Sequence, residues 1–340
     1  MPEVRWDIIT EERVIIATER SRRPHDFKKA DAPTEPKPEL VASCPFCVGN
    51  ETMTPPEVDA FREADTEPNT PGWHVRVVPN KFPALAPEGD LNPRAQGIYT
   101  LSDGVGVHEV LIETPRHNET PVRASAQQWF EALRMYQRRL QVLSNDPRLK
   151  TLLIFRNEGK AAGASLEHPH SQLVGLPFVP PVLQRHIEGV QRYRNRYGRH
   201  PFEAILEQEL REGVRVVRQT ERFLLYAPFA SRAPYELALL PLEPVARFES
   251  LPDETLHEFA ELLRDALRRL HAVLNDPPYN FMLFTAPNGY EAEFWMHLRI
   301  APRLSIDAGF ELGSGVGINI TAPEDAARYL REASGTIPAS

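Results

Sequence analysis

The chain has 340 residues, of which 41% are hydrophobic and 25% are charged, and its formal net charge is −8. These values are typical of a globular protein large enough for two domains, and they argue against a general nucleic-acid binder. No apolar run approaches a membrane span, and residues 1–7 lack the apolar core of a signal peptide. We therefore expect a cytoplasmic protein with no nucleic-acid or membrane partner.

The N-terminal segment combines a strand-like pattern with a run of arginines. Residues 4–18 alternate apolar and polar side chains around a turn, which predicts a β-hairpin. Arg20, Arg22 and Arg23 follow it. Such a run is either a solvated charged surface or a set of guanidinium groups for phosphate, which arginine binds with two parallel hydrogen bonds.

The two cysteines form a CxxC pair, Cys44 and Cys47. In a reducing compartment this pair is typical of a metal half-site or a redox pair rather than a structural disulfide. A redox pair needs a strand-to-helix context, whereas this pair follows a proline-rich loop. We therefore favour a metal site, provided that two further ligands exist, and the alternative is two reduced thiols without a metal.

The middle of the first half predicts strands at residues 74–79, 108–112 and 151–155, with one helix between them. Residues 125–143 have helical periodicity. One face of this helix carries large apolar side chains, namely Trp129, Leu133, Tyr136, Leu140 and Leu143. We expect that face to pack on the sheet.

A glycine-rich bend and a second strand follow, and they carry the chemistry. His168, His170 and Gln172 are two residues apart, so in a strand their side chains project from one face. A neutral imidazole is a competent nucleophile toward phosphorus, and a neighbouring amide can donate to a phosphoryl oxygen. Ser165 and the glycines before it suit a loop that wraps phosphate. The pattern indicates phosphoryl or nucleotidyl transfer through a covalent intermediate on His170.

Residues 183–213 are polar and predict helix. After them, the same order of elements returns in the second half. The repeat predicts an α+β protein made of two duplicated halves, 1–180 and 181–340, each a mostly antiparallel sheet with packed helices. His297 and Arg299 stand at the place of His168 and His170. We therefore expect the second half to lack the catalytic histidine.

The metal site needs two more ligands, and His117 and His168 could complete a closed Cys₂His₂ tetrahedron. The chain has 11 histidines, and spacing alone does not select these two. A closed site of four protein ligands is structural, because it leaves no position for a reacting water.

Together, residues 168–172, the CxxC pair, Asn157, Ser165 and the arginine run resemble the galactose-1-phosphate uridylyltransferase family of the histidine-triad superfamily. The resemblance covers nearly the whole chain and implies duplicated histidine-triad-like halves and a homodimer. It implies that His170 takes UMP from UDP-glucose and passes it to galactose 1-phosphate in a ping-pong reaction. The residue roles that it implies are phosphate contacts from Gln172 and Ser165, nucleotide contacts from Arg20, Arg23, Asn80 and Asn157, and zinc ligation by Cys44, Cys47, His117 and His168.

Three departures from the family pattern bear on specificity. Ser171 replaces a glycine that many members have, and Arg299 replaces a histidine that binds a second metal in some members, so we predict zinc alone. Residues 309–325 resemble the branch that contains plant ADP-glucose phosphorylase. Two alternatives to uridylyl transfer therefore stand: adenylyl transfer from ADP-glucose to phosphate, and a catalytically inactive nucleotide-binding module.

Overall fold

One antiparallel sheet organises the molecule, and its strand order is the same in both halves when followed outwards from the centre. The computed structural model describes residues 1–20 and 37–333. The strands in these ranges are β1 (Glu3–Trp6), β2 (Arg13–Ile16), β3 (Asp59–Arg62), β4 (Trp73–Pro79), β5 (Arg94–Gln96), β6 (Tyr99–Leu101), β7 (Val107–Ile112), β8 (Thr151–Glu158), β9 (His170–Leu176), β10 (Val216–Gln219), β11 (Phe223–Tyr226), β12 (Leu237–Pro241), β13 (Tyr279–Phe284), β14 (His297–Pro302) and β15 (Gly317–Asn319).

The ten-stranded sheet has the order β10-β11-β12-β14-β13-β8-β9-β7-β4-β3, and its pairings are antiparallel. Outwards from the central pair, the first half runs β8, β9, β7, β4, β3 and the second runs β13, β14, β12, β11, β10. The chain visits the five strands of each half in the same order. The duplicated α+β fold is therefore confirmed. Because β8 and β13 join the halves in one sheet, the domain boundary at residue 180 stays a prediction.

The helices follow the sequence patterns closely. They are α1 (Ala126–Leu143), α2 (Pro181–Tyr197), α3 (Pro201–Glu212), α4 (Asp253–Leu274), α5 (Gly309–Ser314) and α6 (Pro323–Glu332). Helix α1 begins where the Ser125 side chain accepts a hydrogen bond from the Gln128 amide, and it buries the predicted apolar face. Helix α2 ends at Gly198, whose φ of 72° is the left-handed conformation that glycine adopts without strain.

The two faces of the sheet are covered differently. Helices α1 and α4 pack on one face and enclose the main core, where Leu173 of the first half and Leu298 of the second are fully buried. Each such side chain contributes about 1.5–3 kcal/mol to folding. On the opposite face, α2 and α3 cover the second half through Val190 and Leu206. The first half instead carries the loop with the CxxC pair on this face, and the candidate site lies there.

Two small sheets complete the fold. The predicted N-terminal hairpin is confirmed as the antiparallel pair β1–β2, and β15 joins it in parallel. Strands β5 and β6 form a separate hairpin. Among the residues that the structure describes, every helix is too short or too polar to cross a lipid bilayer.

Candidate functional site

The side chains of β9 point alternately toward the core and toward the candidate site. Ser171 and Leu173 point to the helix-covered side and are fully buried. His170 and Gln172 point to the opposite side. The register is fixed from both neighbours, since Ile112 of β7 lies opposite His170 and Phe155 of β8 lies opposite Gln172.

A cavity of about 510 Å³ opens on this face. Four of the predicted site residues line it together: Asn80, Ser165, His170 and Gln172. Most of the remaining wall is apolar, with Phe46 as its largest buried ring. A concave, mainly apolar wall with a few polar groups at one end is typical of sites for small organic ligands.

The hydrogen bonding of His170 shows which of its nitrogens is free. Nδ1 lies 2.7 Å from the carbonyl oxygen of His168, and because that oxygen only accepts, Nδ1 carries the hydrogen. Nε2 therefore keeps its lone pair. Burial lowers the pKa of His170 below its ordinary value, an effect that the hydrogen bond to His168 partly offsets. The ring is thus neutral at neutral pH, as a nucleophile requires.

Gln172 is held by a residue that the sequence did not select. Its Oε1 lies 2.8 Å from Nε2 of His108, at the start of β7. The two residues are 64 positions apart and lie on neighbouring strands in a diagonal relation, so periodicity within either strand gives no sign of the contact. His108 does not itself line the cavity, but it contacts Gln172, which lies at the polar end beside His170.

The loop between β8 and β9 brings Ser165 to the cavity mouth. Gly159 and Gly163 flank a short 3₁₀ turn with φ of 80° and 90°, a conformation that side chains with a Cβ rarely adopt. Ser165 is exposed, so its hydroxyl is available to a ligand.

The other predicted nucleotide contacts are Asn157, Arg20 and Arg23. Asn157 is absent from its lining, and its Oδ1 accepts a hydrogen bond of 2.8 Å from Asn280 of the second half. Arg23 lies outside the described residues, and Arg20 is described only as the last backbone position of a 3₁₀ turn. The roles of these three residues stay predictions.

Beside the cavity, Cys44, Cys47, His117 and His168 converge, with one ligand atom of each within 4.8 Å of the others. Nδ1 of His168 lies 3.8 Å and 3.6 Å from the two sulfurs, and Nδ1 of His117 lies 3.6 Å from the Cys47 sulfur. A tetrahedral zinc ion with ordinary bond lengths requires sulfur–nitrogen separations of about 3.6 Å. The donor set and its spacing therefore fit zinc.

The protonation state of His168 also suits a cation, whereas Cys44 would have to lose a proton. Nε2 of His168 donates to the Thr114 carbonyl oxygen at 2.7 Å, which leaves Nδ1 free to bind metal. Burial lowers the pKa of His168 to about 4, so its ring is neutral. Burial, together with the neighbouring Cys47, raises the pKa of Cys44 to about 11. The Cys44 thiol would lose its proton on binding a divalent ion.

The metal cluster and the cavity share Phe46, which lies between the two cysteines in sequence. The Phe46 ring makes edge contacts with His168, at 6.1 Å between ring centroids, and with His170, at 5.3 Å. A metal ion bound by Cys44 and Cys47 would hold this ring against the histidine of the cavity. This arrangement supports a structural rather than a catalytic role for the metal.

A buried polar network supports β9 from the core side. The Ser171 and Tyr136 hydroxyls both hydrogen-bond to Glu113, which also forms an ion pair with Arg156. Burial, and then the Glu113 carboxylate, raises the pKa of Tyr136 far above its ordinary value, so the hydroxyl keeps its proton. The network accounts for a serine at position 171, because a glycine would leave Glu113 with one fewer donor.

The structure corrects the comparison of the two halves at one position. We expected His297 to stand at the place of His168, which directs Nδ1 to the cysteines. Instead, Nδ1 of His297 donates to the carbonyl oxygen of Trp295, two residues earlier, at 3.0 Å. This hydrogen bond repeats that of His170, so in its backbone contact His297 is the counterpart of His170.

Comparisons with known proteins agree with this geometry. The family model described as "Galactose-1-phosphate uridyl transferase, N-terminal domain" matches residues 1–180. ADP-glucose phosphorylase of Arabidopsis thaliana is 34% identical over 98% of this chain and 94% of its own length. Galactose-1-phosphate uridylyltransferase of Thermotoga maritima is 29% identical over 98% of both chains. The crystal structure of the Arabidopsis enzyme with bound ADP-glucose superposes with a TM-score of 0.82, at 31% identity, covering 99% of this chain and all of the other.

Proposed function

The chain belongs to the galactose-1-phosphate uridyl transferase family, and we propose that it transfers a nucleotide from a nucleotide sugar through a covalent intermediate on His170. The observation that carries this proposal is the hydrogen bonding of His170. Its Nδ1 is committed to the His168 carbonyl, so the lone pair of Nε2 is the reactive one at the cavity wall. Two relatives that cover 98% of the chain are named ADP-glucose phosphorylase and galactose-1-phosphate uridylyltransferase.

The reaction proceeds in two displacements. Nε2 of His170 attacks the α-phosphorus of the nucleotide sugar, and the bond from that phosphorus to the bridging oxygen breaks, so that the hexose 1-phosphate leaves. The ring then carries the nucleotide and a positive charge, which the carbonyl of His168 stabilises through Nδ1–H. Gln172 and Ser165 donate to the non-bridging oxygens. A second phosphate acceptor then takes the nucleotide, and the neutral ring returns.

For the donor we propose ADP-glucose, with inorganic phosphate as the acceptor. The support is the similarity to ADP-glucose phosphorylase, which is 34% identical against 29% for the uridylyltransferase relative. The resemblance of residues 309–325 to that branch points the same way. The cavity wall is mainly apolar, and a large flat purine ring would bury much apolar surface against it.

The second candidate is transfer of UMP from UDP-glucose to galactose 1-phosphate. It is favoured by the match of the N-terminal family model and by a uridylyltransferase relative that covers 98% of the chain. Both candidates use the same nucleophile and the same first step. They differ in the base that the cavity accepts and in the acceptor of the second step.

We also propose the accompanying features of the family. Zinc, held by Cys44, Cys47, His117 and His168, would fix the CxxC loop beside the cavity. The half 1–180 would carry the nucleophile, and the half 181–340 would serve packing and ligand contacts. The enzyme would act as a homodimer, with Arg20 and Arg23 adding positive charge near the phosphates.

Product analysis tests the function. The protein is incubated with ADP-glucose or with UDP-glucose, and its intact mass is measured under denaturing conditions at neutral to alkaline pH, since phosphohistidine is labile to acid. We expect an AMP-sized adduct that His170→Ala lacks, and release of ADP when phosphate is added. A UMP-sized adduct discharged only by galactose 1-phosphate would select the second candidate. No adduct from either donor, in protein that binds nucleotide, would contradict both and leave the inactive binding module.

A further inference from the structure

We propose that His108 is a positioning residue, which fixes the side-chain amide of Gln172 so that its NH₂ group faces the transferred phosphate. The inference rests on the proposed function, because it concerns the group that contacts the phosphoryl oxygens. Neither the strand pattern nor the family resemblance drew attention to His108. One chain of hydrogen bonds runs from the backbone amide of Ala84 through His108 to Gln172.

The first link is the backbone of Ala84. Its N–H lies 3.2 Å from Nδ1 of His108. A backbone N–H only donates, so Nδ1 of His108 accepts and carries no hydrogen. A neutral imidazole with a bare Nδ1 has its hydrogen on Nε2. The loop after β4 thus selects the tautomer of His108.

The tautomer of His108 in turn fixes the orientation of the Gln172 amide. Nε2–H of His108 faces Oε1 of Gln172 at 2.8 Å and donates to it. The oxygen and nitrogen ends of an amide have almost the same shape, so the cavity walls alone do not choose between its two orientations. With the oxygen held by His108, the NH₂ end faces away from His108. The opposite orientation would set two hydrogen-bearing nitrogens against each other.

This orientation matters for the chemistry at His170. An NH₂ group donates to a phosphoryl oxygen and stabilises the charge that develops there, whereas an amide oxygen would repel it. An amide fixed before the ligand arrives needs no reorganisation during the reaction. His108 therefore acts through Gln172 and has no direct contact with the reacting atoms in this account.

The same tautomer also bears on Asn80. Oδ1 of Asn80 accepts from the Phe82 amide at 2.9 Å, which turns Nδ2 toward His108, 3.1 Å from its Nε2. Because Nε2 already carries a hydrogen, the Asn80 contact is not a hydrogen bond, and this tautomer is favoured because it keeps the hydrogen bonds of His108 to both Ala84 and Gln172. The side chain of Asn80 is fixed by Phe82 rather than by His108, and the backbone N–H of Asn80 ties the loop to the His108 carbonyl oxygen at 2.9 Å.

A double-mutant cycle tests the proposal. The variants are His108→Phe, which keeps an aromatic ring and removes the donor, Gln172→Ala, and the two combined. The readout is the single-turnover rate of His170 labelling by whichever of ADP-glucose and UDP-glucose labels the unmodified protein. We expect Gln172→Ala to lower this rate about 10²-fold, as loss of one oxyanion donor does, and His108→Phe to lower it about 10-fold. The double variant should match Gln172→Ala within about threefold, because His108 has no other route to the reaction.

Two further variants guard the result. His108→Gln can still donate to Oε1 of Gln172, so it should recover most of the rate that His108→Phe loses. His74→Phe, on the neighbouring strand β4 and with its Nδ1 toward Glu131, should leave the rate unchanged. Losses that multiply in the double variant, or no recovery with His108→Gln, would overturn the proposal. No labelling of the unmodified protein would instead overturn the proposed function, so the two failures are distinguishable.

Discussion

His170 in the first half and His297 in the second begin strands that occupy equivalent places in the sheet, yet they differ in what lies over them. Both donate from Nδ1 to the carbonyl of the residue two positions earlier, and their exposed fractions are 7% and 8%. His170 borders a cavity. His297 lies under aromatic rings, with Phe284 at 4.8 Å, Phe202 at 5.3 Å and His186 at 5.7 Å between ring centroids.

The covering elements explain the difference. In the second half, α2 and α3 lie on the face of the sheet that carries His297. In the first half, that face carries the CxxC loop, which contacts His170 through Phe46 and leaves the cavity open beside it. The same difference holds two residues further along each strand. Gln172 presents its amide to the cavity, whereas Arg299 forms an ion pair with Glu236. One backbone arrangement thus borders a cavity in the first half and is packed under helices in the second.

Replacing each histidine in turn tests whether His170 and His297 differ in function. We expect His170→Ala to lower nucleotidyl transfer by at least about 10⁴-fold, as loss of a nucleophile does. We expect His297→Ala to leave the rate per folded molecule within about threefold. Steady-state rates, corrected for the folded fraction by circular dichroism, measure both. A loss of comparable size in His297→Ala would mean that the second half takes part in the chemistry.

Replacing one predicted metal ligand tests whether zinc stabilises the CxxC loop of the first half. Cys47→Ser should abolish metal binding and lower the free energy of unfolding by several kcal/mol, because the binding energy of a structural zinc adds to folding. Mass spectrometry measures the zinc content, and thermal unfolding measures the loss of stability. The exposed neighbour Ser43 provides the control, since Ser43→Ala should change neither. A Cys47→Ser protein with unchanged zinc would remove this cysteine from the ligand set.

The cover over the second half depends on a close approach at Gly189 in α2. A Cβ at this position would lie 1.8 Å from the carbonyl oxygen of Ile9. Gly189→Ala should therefore cost about 3 kcal/mol in urea unfolding, since α2 must shift away from the N-terminal hairpin. Gly309→Ala is the matched control, because a Cβ there meets no atom within 4 Å. Equal stability of the two variants would show that α2 does not rest on the hairpin.

The buried histidines of the second half predict an acid-sensitive cover. Burial lowers the pKa of His186 from 6.5 to about 4, with Asp7 opposing the shift and His200 and Arg299 adding to it. Its neutral form stabilises the fold above pH 6.5, and that stability is lost as the pH falls toward 4. Between pH 7 and pH 5 the loss from this group is about 2 kcal/mol.

His186→Phe should remove that loss. We expect the free energy of unfolding of the variant to fall by about 2 kcal/mol less than that of the unmodified protein between pH 7 and pH 5. Urea unfolding at the two pH values measures the difference. His74→Phe changes an exposed ring and should follow the unmodified protein. If His186→Phe also follows it, the ring is not held neutral by its surroundings.

The sequence predicted what depends on pattern along the chain. The repeat of strands and helix predicted the duplicated sheet, and the periodicity of residues 125–143 predicted the buried face of α1. The spacing of His170 and Gln172 placed both on one face of a strand. In each case the signal lies within one element, where the periods of helix and strand decide which side chains share a face.

What the sequence could not predict depends on contacts between elements. His108 meets Gln172 on the neighbouring strand, and Glu113, directly after β7, meets Arg156 of β8, with β9 between these two strands. Both contacts depend on the register between strands, which the pattern of a single strand does not determine. His117 is 70 residues from Cys47, so only the family resemblance could join it to the cysteines. The cover over His297 likewise depends on how α2 and α3 pack.

Because His170 borders the cavity and His297 lies under α2 and α3, we expect only His170 to react, and the position of the covalent nucleotide shows whether it does. The protein is labelled with ADP-glucose and with UDP-glucose, digested at neutral to alkaline pH, and the modified residue is identified by tandem mass spectrometry. We expect the nucleotide on the peptide that contains His170 and none on the peptide that contains His297. A nucleotide on His297, or on any residue other than His170, would contradict this expectation.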